Sequence, residues 1–139
     1  LDLVDRLLQG RRVVRPGGKL IICDDFLSQR ASLHPSTKEC KWLQEFRTGW
    51  KIGSLVTVDS ACETAQSVGF KLIRVFDLTT FLKLRRPRDI LISILVSMGK
   101  YLGYHGGDYW GALTGGNALQ LATCSGAVGY HYLVFERIA

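Results

Sequence analysis

The stretch VVRPGGKLIICDD, residues 13–25, constrains the fold more than any other part of this chain. Pro16, Gly17 and Gly18 cannot continue a helix, so they end the helical pattern before them and turn the chain. Leu20–Cys23 then form an apolar run with no polar residue alternating. Such a run predicts a strand buried on both faces, the habit of a central strand with helices on either side. Two carboxylates, Asp24 and Asp25, close it. Helix, tight turn and buried strand make one step of a layered α/β protein.

The pattern recurs downstream. Leu1, Val4, Leu7, Leu8 and Val14 stand near helical spacing ahead of the turn. Residues 27–55 read as irregular, with one helical piece from about Glu39 to Trp50 whose Trp42, Phe46 and Trp50 form an aromatic ridge. Thr57 has the chemistry of an N-cap, Val58, Ala61, Cys62, Ala65 and Val68 share a helix face, and Gly69 suits the position just past the end. KLIRVFDL, residues 71–78, is the next strand. A basic linker, KLRRPRD, leads into a helix from about Pro87 to Leu102, where Pro87 fits the first turn. GYHGGDYWGALTGG reads as a loop, with Gly106-Gly107 and Gly115-Gly116 as loop or helix-end glycines. A short helix, NALQLATCS, precedes the strand VGYHYLVFERI at 128–138.

The first two strands are joined by a helical crossover and so run parallel, with the last antiparallel in the same sheet. Three strands leave an apolar edge exposed, which predicts a homo-oligomer or an additional N-terminal segment at that edge. The chain opens on Leu rather than Met and inside a helical pattern, which gives the expectation of a piece of something longer.

With 139 residues, 47% hydrophobic and 22% charged, the chain has the composition of a globular domain. Its net charge of +6 is compatible with nucleic acid, an anionic membrane surface or an acidic ligand. Basic and aromatic residues do not interleave and no RNA-binding motif is present, which disfavours nucleic acid. The run ILISILVSM at 90–98 is too short to span a bilayer. Its basic collar would suit a membrane surface, but a helix apolar nearly all round is expected to be buried. Cys23, Cys40, Cys62 and Cys124 lack metal-ligand spacing, and His34, His105 and His131 are scattered, so no metal site is assigned. Cys23 and Cys62 read as small core residues, and reduced thiols in a cytoplasmic setting are expected.

The ordered series VVRPGG, KLIICDD, TVDSACETAQSVGF, KLIRVFDLT and GYHYLVFERI resembles the C-terminal half of class I, Rossmann-like S-adenosylmethionine-dependent methyltransferases. That family has a seven-stranded sheet whose fifth strand follows a PGG turn and whose seventh returns antiparallel between the fifth and sixth. The resemblance implies an α/β fold with a partial sheet, strands equivalent to the fifth, sixth and seventh, and one domain with helical insertions at 27–55 and 79–126 forming a substrate cap. It also implies S-adenosylmethionine as cofactor and a small methyl acceptor as partner. In the family a glycine-rich loop after the first strand holds the cofactor. Neither glycine pair here follows a strand and opens a helix, so no cofactor-binding residue is assigned.

Ligands of open α/β sheets sit beyond the carboxyl ends of the strands. This selects Asp24, Asp25 and Phe26 after the first strand and residues 77–80 after the second. Asp24 or Asp25 would orient or deprotonate an acceptor, although adjacent residues point to different sides. His105, in a loop, is a third catalytic candidate. Trp42, Phe46, Trp50, Tyr101, Tyr104, Tyr109 and Trp110 are candidates for an apolar acceptor pocket, set against ordinary core packing. The alternative to an enzyme is a non-catalytic half-fold that associates through its open edge and binds an apolar ligand or partner.

Overall fold

The computed structural model describes residues 2–139. The elements in chain order are α1 (Leu3–Val13), β1 (Lys19–Leu27), α2 (Gln29–Leu33), α3 (Thr37–Gly49), α4 (Val58–Ser67), β2 (Phe70–Asp77), a 3-10 turn (Thr79–Phe81), α5 (Pro87–Tyr101), α6 (Asp108–Cys124) and β3 (Val128–Arg137). They form two compact units. The first holds residues 2–29, 53–80 and 129–139, and the second residues 30–52 and 81–128.

The first unit is built on a sheet of order β1-β3-β2. β3 is central because its Leu133, Val134 and Phe135 are apolar in succession and all buried. β2 runs antiparallel to it, from Phe70 opposite Arg137 to Asp77 opposite His131, with a bulge between Leu72 and Arg74. On the other side, Gly17 N donates to Arg137 O and Arg137 N donates to Gly18 O, both at 2.9 Å. The chain therefore enters β1 where it leaves β3, so β1 and β2 run the same way on either flank of an antiparallel strand. This is the strand order that the family resemblance implies.

α1 and α4 cover one face of this sheet. Leu7 of α1 and Ala61 and Ala65 of α4 meet Phe26, Phe70, Leu133 and Phe135 in one core. Each large side chain buried there contributes about 1.5–3 kcal/mol. Local chemistry fixes the helix that does the covering. Thr57 Oγ1 accepts from Ser60 N at 3.1 Å to start α4, and Gly69 at φ +88° turns the chain after it. The Arg137 guanidinium donates to Arg11 O and Val14 O, satisfying carbonyls at the end of α1.

The continuous apolar run of β1 predicts burial on both faces, and the structure differs. Leu20 and Ile22 face the α1–α4 core, whereas Ile21 is 53% exposed and Cys23 is also exposed. Both covering helices lie on one side; on the other face Val134 is buried but Ile21 and Cys23 are exposed. Cys23 is therefore not a core residue. Cys62 is half-buried against the core, and burial pushes its thiol up.

The second unit is helical. Ser36 starts α3 with a reciprocal cap: Glu39 N donates to Ser36 Oγ at 3.2 Å and Ser36 N donates to Glu39 Oε2 at 2.8 Å. α3 and α6 then cross with their backbones almost touching at Gly49, Gly111 and Gly115. A Cβ on Gly49 would lie 2.9 Å from Gly115 Cα. Next to the crossing, Trp50 Nε1 donates to Ala112 O at 3.1 Å.

Three sequence expectations change in this unit. The glycine-rich passage is not a loop as far as Gly116: α6 begins at Asp108 and runs unbroken through Gly111, Gly115 and Gly116. Glycine in a helix costs about 1 kcal/mol relative to alanine, but here the absent side chains are what allow α3 to approach. Gly107 is the N-cap, a helix-end glycine as expected. Residues 27–55 also contain a short helix, α2, that the irregular pattern did not suggest. Finally, α5 is not buried all round. Val96 and Asp89 face inward, while Leu91, Ile94, Leu95 and Met98 are half-exposed.

Candidate functional site

Alternation along β1 separates the two candidate carboxylates. Asp24 shares the face of Ile22 and Phe26 and turns toward α1, where Arg6 Nη1 is 3.9 Å from its Oδ2. Both partners are largely exposed, so the pair contributes little. Asp25 shares the opposite face with Cys23. It is half-buried, and burial, followed by the neighbouring charge of Asp24, pushes its carboxyl up to about 6. Such a group exchanges a proton near neutral pH, as a general acid or base must.

Antiparallel pairing brings the start of β3 to the same end of the sheet. Cys23 Sγ donates to Tyr130 Oη at 3.2 Å. The Tyr130 phenol is raised by that thiol through its hydrogen bond and charge, then by burial, then by the charges of Asp25 and Asp24. It is therefore a neutral hydroxyl beside a carboxyl that titrates. Across β3, Asp77 Oδ1 accepts from Thr79 N at 2.8 Å. The Thr79 hydroxyl and N–H hold the Asp77 carboxyl below its ordinary value. Thr79 Oγ1 in turn accepts from Tyr130 N at 2.9 Å. His131 meets Phe26 edge-on at 5.9 Å. Its Nε2 lies 4.0 Å from Asp77 Oδ2, and its buried Nδ1 has no hydrogen-bond partner among the described residues.

Cys23, Tyr130 and His131 were not among the sequence candidates, because a thiol in an apolar strand and a histidine in an apolar alternation both read as structural. The available signal was the strand period itself, which places Cys23 on the face of Asp25. Phe26, by contrast, is shut into the core at 3% exposure.

In the second unit, Phe46 is buried at 1% exposure and touches Trp50 edge-on at 5.4 Å. Trp42 is half-buried and Trp50 exposed. Tyr104 and Trp110 form a second edge-on pair at 5.1 Å. Tyr101 and Tyr109 are almost wholly exposed, as is the loop that carries His105. A cavity of about 280 Å³ opens between the helices of this unit, lined by Trp50, Ile92, Leu113, Gly116, Asn117 and Gln120. Its lining is mostly apolar, with the amides of Asn117 and Gln120 and the charged Arg88 and Asp89 at its wall. Among the described residues no three His, Cys, Asp or Glu gather as metal ligands, and no helix is long and apolar enough to cross a membrane.

No family model matches the sequence, and no curated protein matches it. Solved structures do. A geranyl diphosphate methyltransferase in complex with SAM matches with a TM-score of 0.64 and 14% identity, over 99% of this chain and 46% of that one. The mycolic acid cyclopropane synthase CmaA1, complexed with SAH and CTAB, gives 0.63 and 13%, over 97% and 50%. The cyclopropane synthase MmaA2 from Mycobacterium tuberculosis gives 0.62 and 14%, over 97% and 50%. The chain thus has the Rossmann-like fold of S-adenosylmethionine-dependent methyltransferases, and it spans about half the length of the structures it matches.

The residues that follow β1 and β2 do not form the glycine-rich turn that holds the cofactor in that fold. β1 passes through Ser28 into α2 and β2 through Leu78 into the 3-10 turn. Neither strand leads into glycines that would let the backbone approach a nucleoside.

Proposed function

We propose that this chain is the acceptor-side half of an S-adenosylmethionine-dependent methyltransferase acting on a small, apolar acceptor, with the glycine-rich cofactor loop outside these residues. The fold likeness over 97–99% of the chain carries this reading. The acceptors in the neighbours' names range from geranyl diphosphate to sarcosine and dimethylglycine, so the apolar character of the acceptor rests on the apolar and aromatic residues of 27–55 and 79–126. Asp25 is the residue placed to take a proton from the acceptor, with the Tyr130 hydroxyl beside it to donate a hydrogen bond. Asp24, held on the α1 side beside Arg6, takes no part in the proton transfer of this proposal. Within the second unit, considered by itself, the cavity beside Trp50 is a separate candidate site for a small apolar molecule. A cytoplasmic setting with reduced thiols accompanies the proposal.

Calorimetry tests both parts. The isolated chain is expected to bind a prenyl alcohol or medium-chain fatty acid and to give no heat with S-adenosylmethionine. Tight one-to-one binding of S-adenosylmethionine would remove the half-fold reading, and silence toward every apolar acceptor would remove the acceptor assignment.

Asp25→Asn gives a sharper result. A carboxyl whose folded pKa of about 6 lies above its ordinary 3.8 favours the folded state when protonated, and that contribution is lost as pH rises through 6. The variant is therefore expected to be more stable than the parent at pH 8, by roughly 1 kcal/mol after solvent screening, with the gain vanishing below pH 4. Acceptor affinity falls about tenfold in the same variant. Urea titrations of parent and variant at the two pH values and the calorimetry decide it, and a difference between variant and parent that is the same at both pH values refutes the placement of Asp25.

The second reading, a non-catalytic half-fold that pairs through its edge, is favoured by one observation. Apart from an isolated bridge between Leu27 and Thr57, no strand among the described residues pairs with the free edge of β1. Sedimentation separates it from a monomer, since an unpaired edge predicts concentration-dependent association.

A further inference from the structure

α5 carries its polar groups inward and its apolar groups outward. At 3.6 residues per turn, Ile90, Leu91, Ile94, Leu95, Met98 and Tyr101 fall within roughly 140° of arc, and they are 46–91% exposed. No charged residue interrupts this arc. Ser97, at its margin, turns its hydroxyl back to Ser93 O at 2.8 Å. On the inward side Asp89 is buried and accepts from Arg86 N at 3.0 Å, and Lys100 Nζ reaches Glu45 Oε1 at 2.7 Å. Scattered exposed leucines need no explanation, but a contiguous apolar stripe this long marks a binding surface.

The charge beside it indicates what binds. Lys83, Arg85, Arg86 and Arg88 stand at the N-terminal end of the stripe, and all are exposed. We propose that α5 lies on an anionic lipid surface, its apolar arc in the headgroup–acyl boundary and its basic collar on the lipid phosphates and carboxylates. Its 15 residues suit lying in the interface, and no helix among the described residues can span. A second copy would bring a further +6 of net charge and the same collar to the contact, so charge complementarity favours an anionic interface over self-association. The proposal does not depend on methyl transfer: a chain that failed every acceptor test would still be expected to bind vesicles.

Co-sedimentation of the chain with two kinds of vesicle tests it, one of phosphatidylcholine alone and one of phosphatidylcholine with a quarter of phosphatidylserine. Binding is expected to the anionic vesicles, at least about tenfold weaker to the neutral ones, and to weaken with salt. Leu95→Ser combined with Met98→Ser is expected to lower anionic binding about tenfold or more. Lys83→Gln and Arg85→Gln should each lower it about fivefold while leaving the far-ultraviolet circular dichroism unchanged. Two results overturn the proposal. One is no binding to either vesicle by a folded chain. The other is a dimer that the Leu95→Ser, Met98→Ser variant dissolves while vesicles fail to compete for it, which would make a second copy the occupant.

Discussion

Replacing Gly49 with valine is expected to destabilise the chain by about 3 kcal/mol and to shift the fluorescence of the adjacent Trp50. The added Cβ would fall inside contact distance of Gly111 O and 2.9 Å from Gly115 Cα. Both are backbone atoms, so no rotamer change relieves the clash and α3 must move off α6. The movement would break the Trp50–Ala112 hydrogen bond as well. Gly53→Ala is the control, because its Cβ meets nothing within 4 Å. It should change stability by no more than about 0.5 kcal/mol. Chemical denaturation followed by tryptophan fluorescence measures both. Equal effects at the two glycines would show that the helices do not cross where the structure places them.

Glu39→Gln is expected to cost about 2 kcal/mol at neutral pH. Glu39 is buried at 4% exposure. It accepts from Arg30 Nη2 at 2.6 Å, from Arg30 Nη1 at 3.1 Å and from Ser36 N at 2.8 Å. The Arg30 side chain is 52% exposed, so water screens the pair and the loss is smaller than for a fully enclosed ion pair. The Arg30 hydrogen bonds, with the Ser36 N–H, hold the carboxyl down at about 2 from its ordinary 4.5. A lowered carboxylate stabilises the fold fully above 4.5 and loses that contribution as pH falls toward 2. The parent should therefore lose stability across that window, while Glu39→Gln, already without the charge, loses less. Urea midpoints measured from pH 7 down to pH 2.5 provide the comparison, and parallel curves would discount the pair.

Much of the architecture is legible wherever one local signal and one packing signal agree. Thr57 and Gly69 bracket α4 because capping chemistry and apolar spacing mark the same segment. The order of the strands, implied by the family resemblance, was found as β1-β3-β2. The failures occur where tertiary contact reverses a local preference. Glycine at 111, 115 and 116 suggests a loop to any reading of propensity, and only the approach of α3 reveals why these positions are helical and small. The apolar run of α5 suggested protein burial because periodicity reports an apolar surrounding without saying what supplies it. At the site, alternation told that Asp24 and Asp25 face opposite ways. It could not tell which face α1 would occupy, and that placement leaves Asp24 beside Arg6 and Asp25 beside Cys23 and Tyr130.

The central position of β3 has a consequence for how the fold is reached. β1 and β2 are neighbours in sequence across α4, yet neither touches the other in the sheet, and each depends on a strand that leaves the ribosome after both. Until then β1 and β2 have no ladder partner among the described residues, while the helices of residues 81–128 are already available to form local contacts. Assembly of the sheet is thus a long-range, late event, of the kind that is slow and exposes aggregation-prone edges. Within these residues, the interval between synthesis of β2 and arrival of β3 is when β2 is most exposed to mispairing.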